Sequence, residues 1–426
     1  MIERSAVRSA ALGLGILAIL ASGAYVAKLA YTIVRYQAHI WLPDYVASAF
    51  DSRESSTGEG RHLIFLMVDH FEPGKGEDAD ERASRWVSKL RPIADRHRDA
   101  SGRRFQYTWF YAVDEHREGV LATLARASRE GYGEVELHWH HPPSDSDRFP
   151  QMLDEALSWF RRYGVGVSGN SEGRTQFGFI HGLWALDGSQ PRCGVNRELD
   201  ILFRSGCYAD FTFSTAGTVS QPRKVNAIYY ATDTDAPKSY DEGEDVRVGR
   251  KVDDRLMIFQ GPIGFDWMRA RLDYAAVENY APPTPARISR WIDADIHVKG
   301  RPEWVFVKVY SHGIPSEPVI LDRHLDRMLS DLEEICRRRG IALHYMTARE
   351  AFNVVKAAED GGRGDPGSFR DYRLPPPACS AAPDAGTAKS PDTSWAARRC
   401  AGVNRITRMR CGKSRSTVIS RTASCS

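Results

Sequence analysis

Eight apolar segments of strand length recur between residues 62 and 347, separated mostly by amphipathic segments. The strand candidates are residues 62–68, 104–113, 134–140, 176–184, 207–213, 256–262, 304–311 and 341–347. Strands that alternate with helices are typical of an α/β domain with a parallel sheet. Eight such units over about 290 residues favour a (β/α) barrel, irregular and seven- or eight-stranded. An open doubly wound sheet is the alternative, but the glycine-rich dinucleotide fingerprint is missing.

The segments between the strand candidates place apolar residues three and four positions apart, which predicts helices. The helix candidates are residues 81–97, 119–131, 149–164, 196–206 and 321–340. The last of them ends in "CRRRG", whose late cations and glycine form a helix stop signal. Residues 220–255 are too long for a bare loop and predict a hairpin inserted over the mouth of the barrel.

An uncharged, mostly apolar run from Ser9 to Ala27 precedes this domain, with Arg4 and Arg8 before it and Lys28 and Arg35 after it. About 20 apolar residues are needed to cross a bilayer as a helix. We therefore expect one transmembrane anchor, with the main domain outside the cytoplasm. A cleaved signal peptide and a buried helix are the alternatives. The orientation is weakly determined, because both flanks of the run are basic.

Composition suggests four regions: a membrane anchor at residues 1–35, a stem or linker at 36–60, the α/β domain at 61–358 and a tail at 359–426. The tail is rich in Gly, Pro, Ala and Ser and then basic, which predicts disorder; a function for residues 379–426 stays open. A formal net charge of only +3, without a nucleic-acid-binding motif, argues against a nucleic-acid partner.

Polar side chains gather where the predicted strands end. The carboxyl ends of barrel strands form the rim that carries the active site. The first strand runs into "VDHFEP", the third into "HWHHPP", the fourth into "IHGLW" and the seventh into "YSHG". The candidate site residues are Asp69, His70, Glu72, His138, His140, His141, His181, Trp184, Asp210 and His312.

The histidines of "ELHWHHPP" are the first candidates for metal ligands. Because alternate side chains of a strand share a face, His138 and His140 point together and Trp139 points away. Two imidazoles with a carboxylate from a neighbouring element suit Zn²⁺ or a similar divalent ion. His141 could be a third ligand, an outer hydrogen-bond partner or an exposed side chain. The alternative for all three is a structural or exposed histidine.

The other rim residues suggest the remaining roles. Asp69 could be a metal ligand or a general base, or only a helix or turn cap. His70 and Glu72 are further ligand candidates, and the sequence does not rank them. His312 would suit a general acid that protonates a leaving group; a structural histidine is the alternative.

His181, Trp184 and Asp210 are candidates for substrate contacts. Sugar rings stack on aromatic faces such as that of Trp184, although strand aromatics more often pack in a core.

Taken together, these motifs resemble those of the polysaccharide deacetylases, which include chitin and peptidoglycan deacetylases. "MVDHFEP" is similar to the first family motif, and "HWHH" to the second. "YSHG" is similar to the late histidine motif, and "ALHYMTAREAF" to the closing strand and helix. The resemblance covers roughly residues 61–355. It implies an often irregular (β/α) barrel with a divalent metal, Zn or alternatively Co, Ni or Mn. It further implies Asp69 as base, His70 or Glu72 as ligand and His312 as acid.

Departures from the family pattern indicate a divergent branch. The second aspartate of the first motif is absent, and the histidine spacing is i, i+2 and i+3 in place of i, i+4. The family's arginine-proline motif is replaced by "GFIHGLWAL". The expected activity is hydrolysis of N- or O-linked acetyl groups on an extracytoplasmic or surface polysaccharide.

Two other functions compete with deacetylation. The first is a metal-independent glycoside hydrolase that pairs Asp69 or Glu72 with Asp210, since such enzymes need two carboxyl groups. The second is a non-catalytic, glycan-binding member of a polysaccharide assembly complex, which would bring polysaccharide assembly proteins as partners. The sequence does not identify the glycan, the metal or the oligomeric state.

Overall fold

A computed structural model gives the fold as a mixed α/β domain behind a long N-terminal helix. It describes residues 2–51, 60–142, 146–167, 174–191 and 193–377, without the side chains of residues 2–11 and 49–51. Residues 143–145, which follow the histidine run, and most of the predicted tail lie outside this part of the chain.

The helices are α1 (Ile2–Arg35), α2 (Ala38–Asp51), α3 (Ala79–Arg96), α4 (Glu118–Arg129), α5 (Phe149–Tyr163), α6 (Glu198–Arg204), α7 (Pro285–Asp293), α8 (Glu317–Val319), α9 (Leu325–Arg339) and α10 (Ala348–Glu359). The predicted stop signal is confirmed, because α9 ends at Gly340 with a left-handed φ of 65°. Each of the five helix candidates corresponds to a helix, with bounds that differ by a few residues.

The strands are β1 (His62–Phe71), β2 (Tyr107–Ala112), β3 (Gly133–Trp139), β4 (Phe177–His181), β5 (Cys207–Asp210), β6 (Ile228–Ala231), β7 (Gly243–Asp245), β8 (Met257–Phe259), β9 (Gly264–Asp266), β10 (Arg271–Asp273), β11 (Trp304–Ser311) and β12 (Ala342–Tyr345). Each of the eight predicted strands is present. The region predicted as an inserted hairpin forms the antiparallel pair β6 and β7.

Ten strands form one mainly parallel sheet in the order β11-β1-β2-β3-β4-β5-β8-β6-β7, with β12 also paired to β1. Only the β8–β6 and β6–β7 pairs are antiparallel in this order. The described pairings do not close the sheet into a ring, although a Cβ at Gly261, just after β8, would lie 2.6 Å from the carbonyl oxygen of Lys308 in β11. The α/β class is thus confirmed, and barrel closure stays a prediction.

The two faces of the sheet have different partners. Leu63, Phe65 and Met67 of β1 join a core that includes buried residues of α3, α4, α5 and α9. Ile64 and Val68 point the other way, into a core shared with α10. We call this second side the inner face. All twelve residues of α10 are buried, and several of them belong to this second core.

Chain segments on either side of the predicted domain pack against it. Helix α2 lies within the predicted stem, and its Trp41 is buried beside Leu272 of β10. Beyond α10, Arg370 and Leu374 are buried, so the packed unit extends to residue 377, past the predicted boundary at residue 358. Helix α1 is different: its stretch from Leu12 to Arg35 is long and apolar enough to cross a membrane, and most of its residues are exposed.

Candidate metal centre

The ends of β1, β3 and β11 bring four of the predicted histidines together. The ring of His70 lies 4.8 Å from that of His138 and 4.7 Å from that of His312. The rings of His138 and His140 are 4.6 Å apart. The parallel register, which pairs Ala112 of β2 with His138, places these carboxyl ends side by side. Four of the predicted rim residues therefore form one cluster.

Glu72 faces the two predicted metal ligands. Its Oε1 lies 3.4 Å from Nε2 of His138 and 3.3 Å from Nε2 of His140. These separations are longer than a usual N–H···O hydrogen bond. They match the roughly 3.3 Å that separates two ligands of a tetrahedral zinc ion with bonds of about 2.0 Å. The three side chains thus have the spacing of a metal-ligand set.

Each histidine is oriented by a partner on its other ring nitrogen. Nδ1 of His138 lies 2.9 Å from the carbonyl oxygen of Ile180 and donates to it, and Nδ1 of His140 lies 3.2 Å from Oδ1 of Asp114. These partners leave the Nε2 atoms directed at Glu72. Nε2 of His138 is buried and completes no hydrogen bond within the described residues. Such an arrangement fits a bound divalent cation.

The charges around the cluster favour a cation. Burial lowers the pKa of His140, but the Asp114 and Glu72 carboxylates outweigh burial and raise it to about 10. Burial opposes ionisation of Glu72, yet the neighbouring imidazoles of His138 and His140 hold its pKa well below the usual range. A metal ion would replace the proton on His140, because a ligating imidazole must be neutral. Two nitrogens and a carboxylate oxygen suit Zn²⁺, Co²⁺, Ni²⁺ or Mn²⁺.

His70 and His312 form a second group around the same carboxylate. Possible ligand atoms of His70, Glu72 and His312 all lie within 4.8 Å of one another. Nε2 of His70 is buried and has no hydrogen-bond partner among the described residues. The backbone N–H of His312 donates to Oε1 of Glu278 (2.8 Å), and its Nδ1 lies 2.8 Å from the same oxygen. Burial lowers the pKa of His312, but Glu278 outweighs burial and raises it.

Asp69 immediately precedes His70 and faces the end of β11 and the residues that follow it. Its Oδ1 accepts hydrogen bonds from Ser311 Oγ (3.1 Å) and from the backbone N–H of Gly313 (2.5 Å). Burial raises the pKa of Asp69 to about 8, and its Oδ2 has no partner within the described chain. Asp69 therefore braces the segment that carries His312.

His141 and His181 turn away from this cluster towards Glu198. Nε2 of His141 lies 2.8 Å from Oε1 of Glu198, a hydrogen-bond length, and Nε2 of His181 lies 3.4 Å from the same oxygen. The other Glu198 oxygen accepts from the backbone N–H of Asp187 (2.7 Å). Burial lowers the pKa of His141 to about 4 and that of His181 to about 3. The spacing could admit a metal, but the short contact favours a hydrogen-bonded brace.

The last two predicted site residues, Trp184 and Asp210, have different surroundings. The Trp184 ring lies 6.0 Å from that of His70 and 6.1 Å from that of His312, so it borders the cluster. Asp210 is fully buried, accepts from the backbone and side chain of Thr212, and has its pKa raised by burial to about 7. It lies in the core with Lys308 as its nearby cation.

Three acidic residues that contact the predicted histidines were not predicted from the sequence. Asp114 directly follows the strand run "YTWFYAV", and the same rule of strand ends would have found it. Glu278 lies in an irregular segment before α7, and Glu198 begins α6; neither has a sequence signal that points to the site. A scan of protein-family models and a search of curated proteins find no match to this chain.

Proposed function

We propose that the protein is a metal-dependent hydrolase that removes N- or O-linked acetyl groups from a glycan. It would be a divergent polysaccharide deacetylase on an irregular (β/α) barrel. The main support is the spacing of 3.4 and 3.3 Å between Glu72 Oε1 and the Nε2 atoms of His138 and His140. The anchored Nδ1 atoms of both rings support the same reading.

Metal binding and proton donation would fall to different residues of the cluster. Glu72, His138 and His140 would hold the ion, with His70 beside them. A divalent ion there would polarise the acetyl carbonyl and lower the pKa of a water molecule. His312 would protonate the departing amine or alkoxide, because Glu278 raises its pKa and so favours its protonated form.

Asp69 is proposed as the base that takes a proton from the attacking water, a role in which the bound cation would lower its pKa from the value of about 8 that burial gives. Asp69→Asn tests this role. The amide oxygen of Asn could still accept from Ser311 and Gly313, so the His312 segment would stay in place. We expect the variant to fold and bind metal as the parent does, but to lose turnover. Acetate release at the parent rate would leave Asp69 with a positioning role only.

Metal content and chelation test the reaction class. The full chain, purified in detergent, should carry one divalent ion and release acetate from an acetylated oligosaccharide. A chelator should remove both the ion and the activity, and added Zn²⁺ or Co²⁺ should restore them. Glycosidic cleavage that survives chelation would instead favour a glycoside hydrolase. A metal-free, inactive domain that still binds glycan would favour the assembly-complex alternative.

The proposed setting is a membrane, with α1 as a single-pass anchor and the domain outside the cytoplasm. The span from Leu12 to Arg35 supports the anchor by length and apolar composition. An extracytoplasmic or surface polysaccharide is then the substrate class, and polysaccharide assembly proteins are the proposed partners. Protease protection of tagged termini in spheroplasts tests the orientation.

A further inference from the structure

The hairpin formed by β9 and β10 lies against α1 and exposes two large apolar side chains at its tip. Trp267 is 51% exposed and Met268 is 91% exposed, whereas most other large apolar residues outside α1 are buried in the part of the chain that the structure describes. The hairpin turns between Asp266 and Arg271, so both side chains sit at its end. Such a tip is costly in water unless something covers it.

Two hydrogen bonds fix the tip along the helix. Thr32 Oγ1 donates to the carbonyl oxygen of Ala270 (2.9 Å), and the Tyr25 hydroxyl donates to that of Trp267 (2.5 Å). Tyr25 and Thr32 are seven residues apart, which is about 10 Å along a helix. The hairpin therefore follows α1 towards its apolar centre.

Residue chemistry along α1 sets the depth of the tip. The uncharged run from Ser9 to Ala27 has 19 residues, about 28 Å of helix, close to the roughly 30 Å hydrocarbon core of a bilayer. Lys28 would mark its edge, and Tyr25 would lie one turn inside it. Tyr and Trp are enriched at this level of a membrane.

We propose that the Trp267–Met268 tip inserts into the lipid bilayer beside α1 and holds the rim of the candidate metal centre at the head-group layer. This inference rests on the proposed membrane anchor. Lipid is the occupant that the contacts favour, since the tip is docked on the same helix that would cross the bilayer. Arg269, which pairs with Asp266, and Arg271 follow the tip and would lie at the level of the lipid phosphates.

A row of aromatic rings connects this tip region to the site. Tyr36 directly follows α1, and the centre of its ring lies 6.0 Å from that of Tyr274, which follows β10. The ring centre of Tyr274 lies 6.5 Å from that of Tyr310 in β11, and the ring centre of Tyr310 lies 5.7 Å from that of His70. The end of the membrane helix and the metal centre are thus three ring contacts apart. A glycan attached to a membrane lipid would reach the site without leaving the surface.

Site-specific photocrosslinking in vesicles tests the inserted tip. A benzophenone amino acid replaces Met268 in the full chain, which is reconstituted in phosphatidylethanolamine and phosphatidylglycerol vesicles that carry a radiolabelled lipid. We expect lipid adducts at position 268 at a yield several-fold above that at position 372. Tyr372 is a matched control, because it is 43% exposed and packs with Phe369, which contacts Trp304 at the opposite, amino-terminal end of β11.

A third crosslinking position tests the membrane anchor separately from the inserted tip. Leu17, 68% exposed within α1, should give lipid adducts wherever α1 crosses the bilayer. Adducts at 17 but only background at 268 would overturn the inserted tip while leaving the anchor intact. Adducts at 268 to a second copy of the chain would also overturn it. Background at all three positions would overturn the anchor itself and the inference with it. No readout depends on enzymatic activity.

Discussion

At the scale of single residues, the three histidines of the "HWHH" run do not share one role. His138 and His140 point their Nε2 atoms at Glu72, whereas His141 points its Nε2 at Glu198. A distance decides between the roles: 3.3 to 3.4 Å fits two ligands of one ion, and 2.8 Å fits a hydrogen bond. Strand alternation predicted this division for the pair and left His141 open.

The division predicts which substitutions remove metal. His138→Gln and His140→Gln should each lower the metal content of the purified chain to below a tenth of the parent value. His141→Gln, a matched control one position away, should keep the parent content because its ring bonds to Glu198. Elemental analysis of the folded proteins measures this. Loss of metal in His141→Gln alone would move the centre to the Glu198 cluster.

His116, outside the cluster, should make stability depend on pH. Its ring stacks on Trp159 at 3.9 Å, and burial lowers its pKa to about 4. The unfolded chain takes up a proton on this residue below pH 6.5, whereas the folded chain does so only near pH 4. The stabilising contribution is therefore complete above pH 6.5 and is lost as the pH falls towards 4.

Replacing His116 should remove this pH dependence. In His116→Phe the free energy of unfolding should fall less steeply between pH 6.5 and 4, by up to about 1.4 kcal/mol per pH unit. Urea unfolding at several pH values gives the two slopes. Parallel slopes for the parent and the variant would mean that His116 titrates alike in both states.

At the scale of elements, close packing between β4 and the exit of β3 fixes His140. A Cβ at Gly182, just after β4, would lie 2.8 Å from Cα of His140 and would also clash with its ring. Gly264, by contrast, has its nearest atom, Cβ of Arg290, at an ordinary 3.5 Å. The close approach therefore needs glycine only at the first position.

Gly182→Ala should weaken metal binding by pushing His140 out of position. We expect at least a tenfold rise in the dissociation constant of Zn²⁺, with the fold retained, as judged by circular dichroism and competition with a chromogenic chelator. Gly264→Ala is the control and should bind as the parent does. Equal affinity of the two variants would show that the β4 exit yields to the methyl group.

The sequence predicted most elements but not how the last one packs. Runs such as "HLIFLMV" identify strands because a buried strand is apolar throughout. Helix α10 carries Arg349, Glu350, Lys356 and Glu359, charges that normally indicate a solvent-facing side. All four are buried, and each has an oppositely charged partner. Pairs such as Arg349 with Glu134 join residues 215 positions apart, which no local pattern records.

The site residues, likewise, were predictable where a local sequence pattern marked them and not where only the folded chain brings them together. Strand alternation and the rule of strand ends predicted His138, His140 and Glu72 as candidates. They did not rank Glu72 against His70, because that choice depends on where β1 lies relative to β3. They also missed Glu278, whose segment has no regular structure and is positioned only by the folded chain.

At the scale of the whole molecule, the inner face of the sheet is divided along its strands. The metal centre occupies the carboxyl ends, and α10 fills the space towards the amino ends. The chain after α10 then covers the helix: Asn353 Nδ2 donates to the carbonyl oxygens of Arg370 (2.6 Å) and Leu374 (2.8 Å). Its Oδ1 accepts from the backbone N–H groups of Arg373 (3.0 Å) and Leu374 (2.8 Å). One buried amide thus ties the final described segment to the core.

This arrangement predicts where the chain can be shortened. A chain that ends at residue 377 should keep the parent melting temperature, because the contacts of Asn353 and Arg349 remain. A chain that ends at residue 358 removes the backbone partners that both side chains have after that residue. Each buried polar group left without a partner costs about 1–3 kcal/mol. We expect a melting temperature lower by several degrees, or no folded protein, in thermal unfolding of the two truncations. Equal melting temperatures would mean that residues 359–377 only rest on the domain.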